Sequence, residues 1–304
     1  MSETLDQVVE INIYLQPIQF ILSIVLNIIT IYILSSYTLR ASSCSYYLLA
    51  YAVFALMYMI QICPGKFFLA FNITLPVNEA RCRLATFTIN FPPILTRHML
   101  LLASWDRFCS SSTTDRFRLQ RTVNKAKRNI LIAIIVTIIT MLPTLIIYYA
   151  NETVQLCLAY TDRIALAFIF VQILYVNVLA PLFMTIFGCL TIYNIRQSAR
   201  RVRTEQHHQI VNHRTEGQLA RMLILQIFVL LITNIPYIII YSIVTINPSA
   251  QTSTMNALRN ISVFLVQSQY YISFFLYIIS GRIYRQELLK TFKKCQSRNS
   301  ISFY

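Results

Sequence analysis

The sequence predicts an all-α integral membrane protein, a bundle of seven transmembrane helices followed by a short amphipathic helix. Three observations predict this fold. The chain of 304 residues is 56% hydrophobic, only 12% of it is charged, and its apolar residues collect in long runs without a charge. A soluble domain of this size carries about 25% charged residues. The composition therefore favours a single membrane domain over residues 1–304.

Each uncharged run is long enough for one span, because a helix needs about 20 apolar residues to cross the hydrocarbon core. Between its charged ends, the third run carries only Arg97 and His98 as ionisable residues. The segment Ile130–Thr140 is rich in β-branched residues, which favour strands in soluble proteins. In lipid the backbone must satisfy its own hydrogen bonds, so a run of this length forms a helix. The predicted spans are residues 11–36, 43–68, 82–107, 129–150, 164–195, 218–246 and 257–280.

The segments outside the spans have their own signals. Residues 1–10 lack the basic segment and cleavage site of a signal peptide, so we expect the first helix to be retained. Beyond the seventh span, an apolar stripe recurs every four residues, at Tyr284, Leu288 and Phe292. It predicts an amphipathic helix over residues 282–294 that lies on membrane lipid, followed by a cytoplasmic tail over residues 295–304. Cys295 is either a palmitoylation site or an unmodified cysteine.

Basic residues are concentrated in the segments that follow the odd-numbered spans. These segments hold 20 of the 26 Lys and Arg residues but only five of the 11 acids, which accounts for the whole net charge of +15. The positive-inside rule places them in the cytoplasm, with the N-terminus extracellular and the C-terminus cytoplasmic in the plasma membrane. The pI of about 9.7 therefore reflects membrane topology and predicts no nucleic-acid partner.

Three glycosylation sequons agree with this orientation. They begin at Asn72, Asn151 and Asn260, all on the predicted outer side. Asn260 lies very close to the start of a span, where a glycan is not expected. Asn72 and Asn151 are therefore the predicted glycosylation sites.

The strongest local motif is Asp106-Arg107-Phe108, at the inner end of the third span. Burying a charge at this depth costs free energy, so charged residues in a span usually have a function. The alternative is a charge pair at a helix end that simply extends to the interface. Cys82 precedes Arg107 by 25 residues, about 37 Å of helix, which places the two at opposite faces of the membrane.

Polar and proline positions in the other spans complete the pattern. Asn27 lies in the middle of the first span, and Pro181 and Pro236 are expected to bend the fifth and sixth spans. Together with the Asp-Arg-Phe motif, these residues resemble the rhodopsin-like G-protein-coupled receptors, whose Asp-Arg-Tyr motif here has Phe in place of Tyr. The resemblance covers about residues 11 to 295. It implies an extracellular ligand and a heterotrimeric G protein as partners.

The resemblance also implies roles for individual residues. It pairs Cys82 with Cys157 in a disulfide, which the oxidising exterior permits. It pairs Glu216, 20 residues before Pro236, with Arg107 in the inactive state; the alternative is an ordinary solvated acid in a basic loop. The residues implied in G-protein coupling and activation are Asp106, Arg107, Phe108, Glu216 and Tyr277.

Several positions depart from the family pattern. Val53 stands where the second span usually has Asp, Asn234 where the sixth has Trp, and Ser273-Phe274 where the seventh has Asn-Pro. Without the carboxylate, the family's internal sodium site is not expected. The departures indicate a divergent branch, and they put the usual activation switches in question but not the fold.

Arg97 is the least expected residue of the third span. It occupies the family's apolar relay position, about 15 Å along the helix from Arg107. A lone Arg facing lipid there would cost at least ~2.5 kcal/mol, so we expect it to point into the bundle, towards Asn234, one turn above the relay residue Leu230. The hypothesis is that a hydrated polar network around Arg97 and Asn234 replaces the aromatic switch of better-known receptors. The alternative is a structural hydrogen bond with no signalling role.

The outer halves of the spans restrict the ligand. The seventh span has no lysine for a retinal Schiff base, and Ile89 stands where receptors for amines have Asp. The predicted pocket is polar but nearly uncharged, which favours a peptide over an amine. Its residues are Asn90, Gln172, Asn177, Tyr241, Gln267 and Tyr270.

Other function classes have less support. The sequence contains no phosphate loop, metal-ligand cluster or nucleophile triad, so it predicts no enzyme, cofactor or metal site. The cluster His207, His208 and His213 is more typical of a solvated basic loop. Proton-coupled transport relies on carboxylates within the membrane, and none lies deep in a predicted span. A polytopic transporter or channel-like protein is the alternative to a receptor.

Overall fold

The computed structural model describes residues 3–71, 78–112, 122–151, 156–160, 163–202, 210–246 and 252–301. The helices are α1 (Glu3–Leu34), α2 (Tyr37–Arg40), α3 (Ser43–Ala70), α4 (Glu79–Ser111), α5 (Val123–Met141), α6 (Thr144–Ile147), α7 (Arg163–Leu174), α8 (Ala180–Val202), α9 (Ile210–Ile246), α10 (Ser253–Ser280) and α11 (Arg282–Ile301). Two strands, β1 (Tyr148–Asn151) and β2 (Leu156–Ala159), pair antiparallel between α6 and α7.

Seven helical segments form the membrane-spanning bundle. Within the described residues, six are both long and apolar enough to cross a membrane, namely Ile13–Leu34, Ser43–Phe68, Val123–Ile147, Arg163–Gln197, Ala220–Val244 and Ser253–Ser280. The seventh is α4, whose 33 residues extend over about 50 Å. Beyond its first turns, its charged residues Arg97, Asp106 and Arg107 are buried among neighbouring helices, so they do not face lipid. The predicted all-α bundle of seven spans is confirmed.

The core follows α4, which packs against α3, α5, α8 and α9. Leu95, Met99 and Leu100 of α4 are fully buried. From α10, the ring of Tyr270 lies 5.0 Å from that of Tyr58 in α3. Because lipid is as apolar as these side chains, close packing and hydrogen bonds between helices stabilise such a bundle more than burial does.

A π-helical turn, Tyr175–Leu179, joins α7 and α8 into one span. Pro181 follows two residues later and has no N–H to donate, and a widened turn accommodates this loss. The turn places the Tyr175 hydroxyl 2.8 Å from Nε2 of His98, whose Nδ1 lies 2.9 Å from Oγ1 of Thr137. His98 therefore connects α4 with α5 and with the turn.

Several helix ends differ from the predicted spans. α1 begins at Glu3, within the segment predicted to precede the first span, and α11 continues to Ile301, through the predicted tail. Backbone hydrogen bonding thus continues beyond the apolar residues from which the spans were predicted. α5 ends at Met141, nine residues before the predicted end, because Pro143 cannot donate to the helix. The chain instead enters α6 and the β1–β2 hairpin, which the sequence did not predict.

Candidate functional site

The β1–β2 hairpin covers one end of the bundle. A disulfide joins Cys82, in the first turn of α4, to Cys157 in β2, with the Cα atoms 5.5 Å apart. This is the pairing that the resemblance implied. We call this end of the bundle the disulfide end, and the opposite end, where Arg107 lies, the inner end.

A cavity of about 870 Å³ extends from the hairpin into the bundle, between α3, α4, α7, α9 and α10. Five of the six predicted pocket residues line it, namely Asn90, Gln172, Asn177, Tyr241 and Tyr270. The sixth, Gln267, does not. It is fully buried towards α1, where Gln16 Nε2 donates a hydrogen bond to its Oε1 at 3.3 Å. Of these two predicted α10 residues, only Tyr270 therefore lines the cavity.

The cavity is more highly charged than the sequence analysis predicted. Lys66, Arg97 and Arg259 all line it, and none of its described lining residues is Asp or Glu. The expectation of a nearly uncharged pocket is therefore wrong. Lys66 and Arg259 lie just beyond the ends of uncharged runs, which is the only sequence signal for them. Which way each side chain points depends on how the helices are rotated in the bundle.

Aromatic hydroxyls accompany these cations. Tyr58, Tyr148, Tyr237, Tyr241 and Tyr270 line the cavity, and the Arg259 guanidinium lies 5.8 Å from the centre of the Tyr241 ring. Burial raises the pKa of Tyr148 to about 12, although the nearby charge of Arg259 acts in the opposite direction. At neutral pH the Tyr148 hydroxyl is therefore protonated and can donate a hydrogen bond.

Arg97 lies at the floor of the cavity with 5% of its surface exposed. Its Nη2 donates a hydrogen bond to Asn234 Oδ1 at 2.7 Å, so the partner is the one that the sequence analysis named. Asn234 Nδ2 in turn donates to Leu230 O at 2.7 Å and to Gln269 Oε1 at 3.1 Å. One guanidinium is thus connected to α9 and, through Asn234, to α10.

At the inner end, Asp106 and Arg107 form a buried pair. Arg107 Nη2 donates to Asp106 Oδ2 at 2.7 Å, and only 1% of Arg107 is exposed. Ser43 Oγ donates to Asp106 Oδ1 at 2.6 Å, which connects α3 to the pair. The two opposite charges compensate each other, and each oxygen of the buried carboxylate accepts a hydrogen bond. A pair at a helix end that simply extends to the interface would be exposed, and this one is not.

The family model for the 7 transmembrane receptor (rhodopsin family) matches residues 26–277. The chain belongs to this family. No individual curated protein matches it significantly in sequence. The family consists of receptors, which favours a receptor over an enzyme, a transporter or a channel, and the chain is a multi-pass membrane protein.

Phe108 of this rhodopsin-family receptor takes part in an aromatic cluster. Its ring centre lies 5.5 Å from that of Trp105 and 5.8 Å from that of Phe187 in α8. The residue that replaces the family's Tyr therefore packs α4 against α8. Sequence reasoning had no signal for Phe187 as its partner.

Tyr277 is fully buried near the end of α10. Its hydroxyl donates to Gln226 Oε1 in α9 at 2.9 Å, and its ring lies 5.6 Å from that of Tyr284 in α11. Tyr284 in turn donates to Thr30 Oγ1 at 3.2 Å. The receptor thus connects α9, α10, α11 and α1 through two tyrosines. Gln226 was not predicted as a partner, although a glutamine inside an apolar run indicates a buried hydrogen bond.

The second span carries a different interior residue from the one that the sequence analysis named. Val53 is 39% exposed on the outside of the bundle, so it does not occupy the interior position where the family has Asp. Tyr51 is buried there instead, with its ring 6.4 Å from that of Tyr270. A bulky phenol thus fills this region.

Some predicted residues lie where the structure gives no side-chain information. Glu216 and Cys295 belong to α9 and α11, but their side chains lie outside the described residues, as does the whole of Asn72. The pairing of Glu216 with Arg107, the palmitoylation of Cys295 and a glycan on Asn72 therefore stay predictions. Asn151 is described and ends β1 at the disulfide end.

Proposed function

We propose that this receptor binds an extracellular ligand in the cavity and activates a heterotrimeric G protein at the inner end. The cavity lies at the disulfide end, next to a hairpin that the Cys82–Cys157 bond holds against α4. The buried Asp106–Arg107 pair lies at the other end of the same helix. One helix therefore connects the ligand site with the signalling site.

The charge distribution supports the orientation that this function needs. Segments at the inner end carry 20 of the 26 basic residues, which favours a cytoplasmic location for the inner end and an extracellular one for the N-terminus. We place the receptor in the plasma membrane, with the cavity facing outwards. Glycosylation at Asn151, in β1 at the disulfide end, fits the same orientation.

The single observation that carries the proposal is the Arg97–Asn234–Gln269 network at the cavity floor. A ligand changes a conformational equilibrium only if it binds one conformation more tightly than the other. The network belongs to α4, α9 and α10, and Asn234 lies two residues before Pro236 in α9. A ligand that disturbs these hydrogen bonds would alter how the inner half of α9 packs on α4, where the G protein would bind.

The cavity volume is compatible with a small ligand or with part of a short peptide. A volume of 870 Å³ is near the upper end of the usual range for small-molecule sites, about 300–1,000 Å³. A peptide stays a proposal for the ligand, but its original reason, an uncharged pocket, no longer applies. The charges are a more specific guide to the ligand.

Signalling without an added ligand tests the proposal. In cells expressing the chain with G proteins of each class, we expect a basal cyclic-nucleotide or calcium response above that of untransfected cells. Arg107→Ala should lower it at equal surface expression, because Arg107 is a buried charge at the inner end, where the G protein is proposed to bind. Arg163→Ala, at the exposed start of α7 on the disulfide side, is the matched control and should leave the response unchanged.

Two results would contradict the proposal. One is a response that is absent with every class of G protein. The other is a solute uptake or ion conductance that depends on the chain and is the same in the Arg107→Ala variant. The second result would favour the transporter or channel alternative.

A further inference from the structure

Three cations line a cavity in which no described lining residue is acidic. Lys66 comes from α3, Arg97 from α4 and Arg259 from α10, so three different helices contribute one positive charge each. Bringing like charges together in a partly desolvated space is unfavourable unless a negative charge compensates them. The inference drawn from this arrangement rests on the proposed function, because it names the chemical class of the ligand.

Lys66 and Arg259 form the rim of the cavity. Lys66 and Arg259 line the same cavity, and within the described residues neither of them forms an ion pair. The Arg259 guanidinium lies 5.8 Å from the centre of the Tyr241 ring, and this cation–π contact holds it at the cavity. The protonated Tyr148 hydroxyl lies in the same region.

Arg97 provides a second, independent observation at the floor. It is 95% buried, since its exposure is 5%, and its Nη2 is bonded to a neutral amide oxygen. Its Nε has no hydrogen-bond partner among the described residues. A buried guanidinium with an unused donor, in the wall of a cavity, is a binding group for an acceptor atom.

The space between rim and floor is mostly apolar. Its walls include Ile62, Ile89, Ile169, Ile238, Val263 and Val266. Lys66 is eight residues beyond Tyr58, whose ring contacts Tyr270 at the floor, so the rim and floor are about 12 Å apart along α3. Along α10, the 11 residues from Arg259 to Tyr270 correspond to about 16 Å.

We propose that the cavity binds an organic anion. The acidic group of the ligand, a carboxylate in the simplest case, lies between Lys66 and Arg259 and accepts hydrogen bonds from both. Its apolar or aromatic body extends over about 12–16 Å to the floor, where a neutral acceptor atom meets Arg97. The carboxylate can belong to a small organic acid or to the free C-terminus of a short peptide, since both present the same chemistry.

Binding to the purified receptor tests the proposal. The probes are arylalkyl compounds of this length, each in three forms, as a carboxylate, a primary amide and a primary amine. A second set consists of short apolar peptides, each with a free and an amidated C-terminus. A ligand that binds only the folded state raises the melting temperature. We expect carboxylates of at least one set to do so and the matched amides and amines to have no effect, and the set that responds identifies the source of the anion.

Charge-neutral variants connect the binding to the two rim residues. Lys66→Gln and Arg259→Gln should each weaken binding of the stabilising carboxylate about tenfold or more, the usual effect of losing one charge-assisted hydrogen bond. Lys66→Arg should retain most of the affinity. Arg163→Gln removes an exposed charge at the same end, outside the cavity lining, and should bind like the wild type.

A further measurement needs no ligand. If Lys66 and Arg259 repel each other in the empty cavity, Lys66→Gln should raise the melting temperature of the ligand-free receptor, whereas a purely structural role for Lys66 would lower it. The proposal is wrong if Lys66→Gln lowers this temperature. It is equally wrong if no carboxylate stabilises the receptor at about millimolar concentration, or if amides and amines stabilise it as well. Because these measurements contain no G protein, their failure leaves the basal-signalling test of receptor function intact.

Discussion

Arg97 Nη2 lies 2.7 Å from Asn234 Oδ1, a contact between residues 137 positions apart in the chain. It brings a buried positive charge of α4 against the residue that stands where the family has its sixth-span Trp. Asn234 shares its own donor group between Leu230 O and Gln269 Oε1. A hydrogen-bonded amide thus occupies the place of an aromatic ring, at the floor of the cavity.

Removing the charge of Arg97 should separate folding from signalling. Arg97→Met keeps most of the side-chain volume but removes the desolvated charge, so we expect equal or higher surface expression and thermal stability. If the network is a switch, the potency or the maximum of ligand-induced signalling should change. The measurements are surface labelling and concentration–response curves. Normal surface levels with an unaltered potency and maximum would leave Arg97 a structural role only.

Glu216 is predicted to hold the inactive state by pairing with Arg107. Glu216→Gln removes the negative charge and should therefore raise basal signalling, since a partly buried Arg–carboxylate pair can bias an equilibrium by a few kcal/mol. The measurement is ligand-independent second-messenger output at matched surface expression. Glu287→Gln is the control, because Glu287 lies in α11 and contacts Lys290 and Thr38 instead. Unchanged output would identify Glu216 as a solvated acid.

The Cys82–Cys157 disulfide should stabilise the disulfide end. It links residues separated by 75 positions, and a loop of that length corresponds to about 4 kcal/mol of chain-entropy stabilisation. Cys82→Ala and Cys157→Ala should therefore each lower the melting temperature and surface expression to a similar extent. Cys189→Ser, at an exposed free cysteine of α8, should have little effect. If the double variant is less stable than the wild type by the sum of the two single effects, the two cysteines act independently and the pairing is wrong.

Gly281, between α10 and α11, should not tolerate a side chain. A Cβ atom there would lie 2.8 Å from Tyr277 O and 2.9 Å from Met222 Sδ, and the backbone oxygen cannot move without disturbing α10. Gly281→Ala should therefore lower the free energy of unfolding by an amount typical of overpacking, about 1–3 kcal/mol, and the melting temperature with it. Gly65→Ala is a matched control, because nothing lies within 4 Å of a Cβ at Gly65 in α3. Equal stability of the two variants would show that α11 can shift away from α10.

The sequence by itself determined the fold class and the residues at both ends of α4. A backbone in lipid has to satisfy its own hydrogen bonds, so uncharged runs of sufficient length predict helices whatever their other contacts. The sequence also predicted that Arg97 points into the bundle, towards Asn234, because a charge that faces hydrocarbon has a large free-energy cost. Asp106 and Arg107 were visible as a motif that resembles the family's Asp-Arg-Tyr, and the 25 residues from Cys82 to Arg107 match the length of one span.

Apart from the Arg97–Asn234 contact, only the tertiary structure decided which side chains face the cavity and which face neighbouring helices. Lys66 and Arg259 line the cavity, Gln267 turns towards α1, and Val53 faces outwards while Tyr51 is buried. Hydropathy locates a span but leaves the rotation of the helix about its axis almost undetermined, since lipid and the protein interior are both apolar. That rotation is set by packing and by hydrogen bonds between distant residues. Pro143 likewise ends a helix that hydrophobicity alone would have continued, and the chain then enters the hairpin that the Cys82–Cys157 bond links to α4.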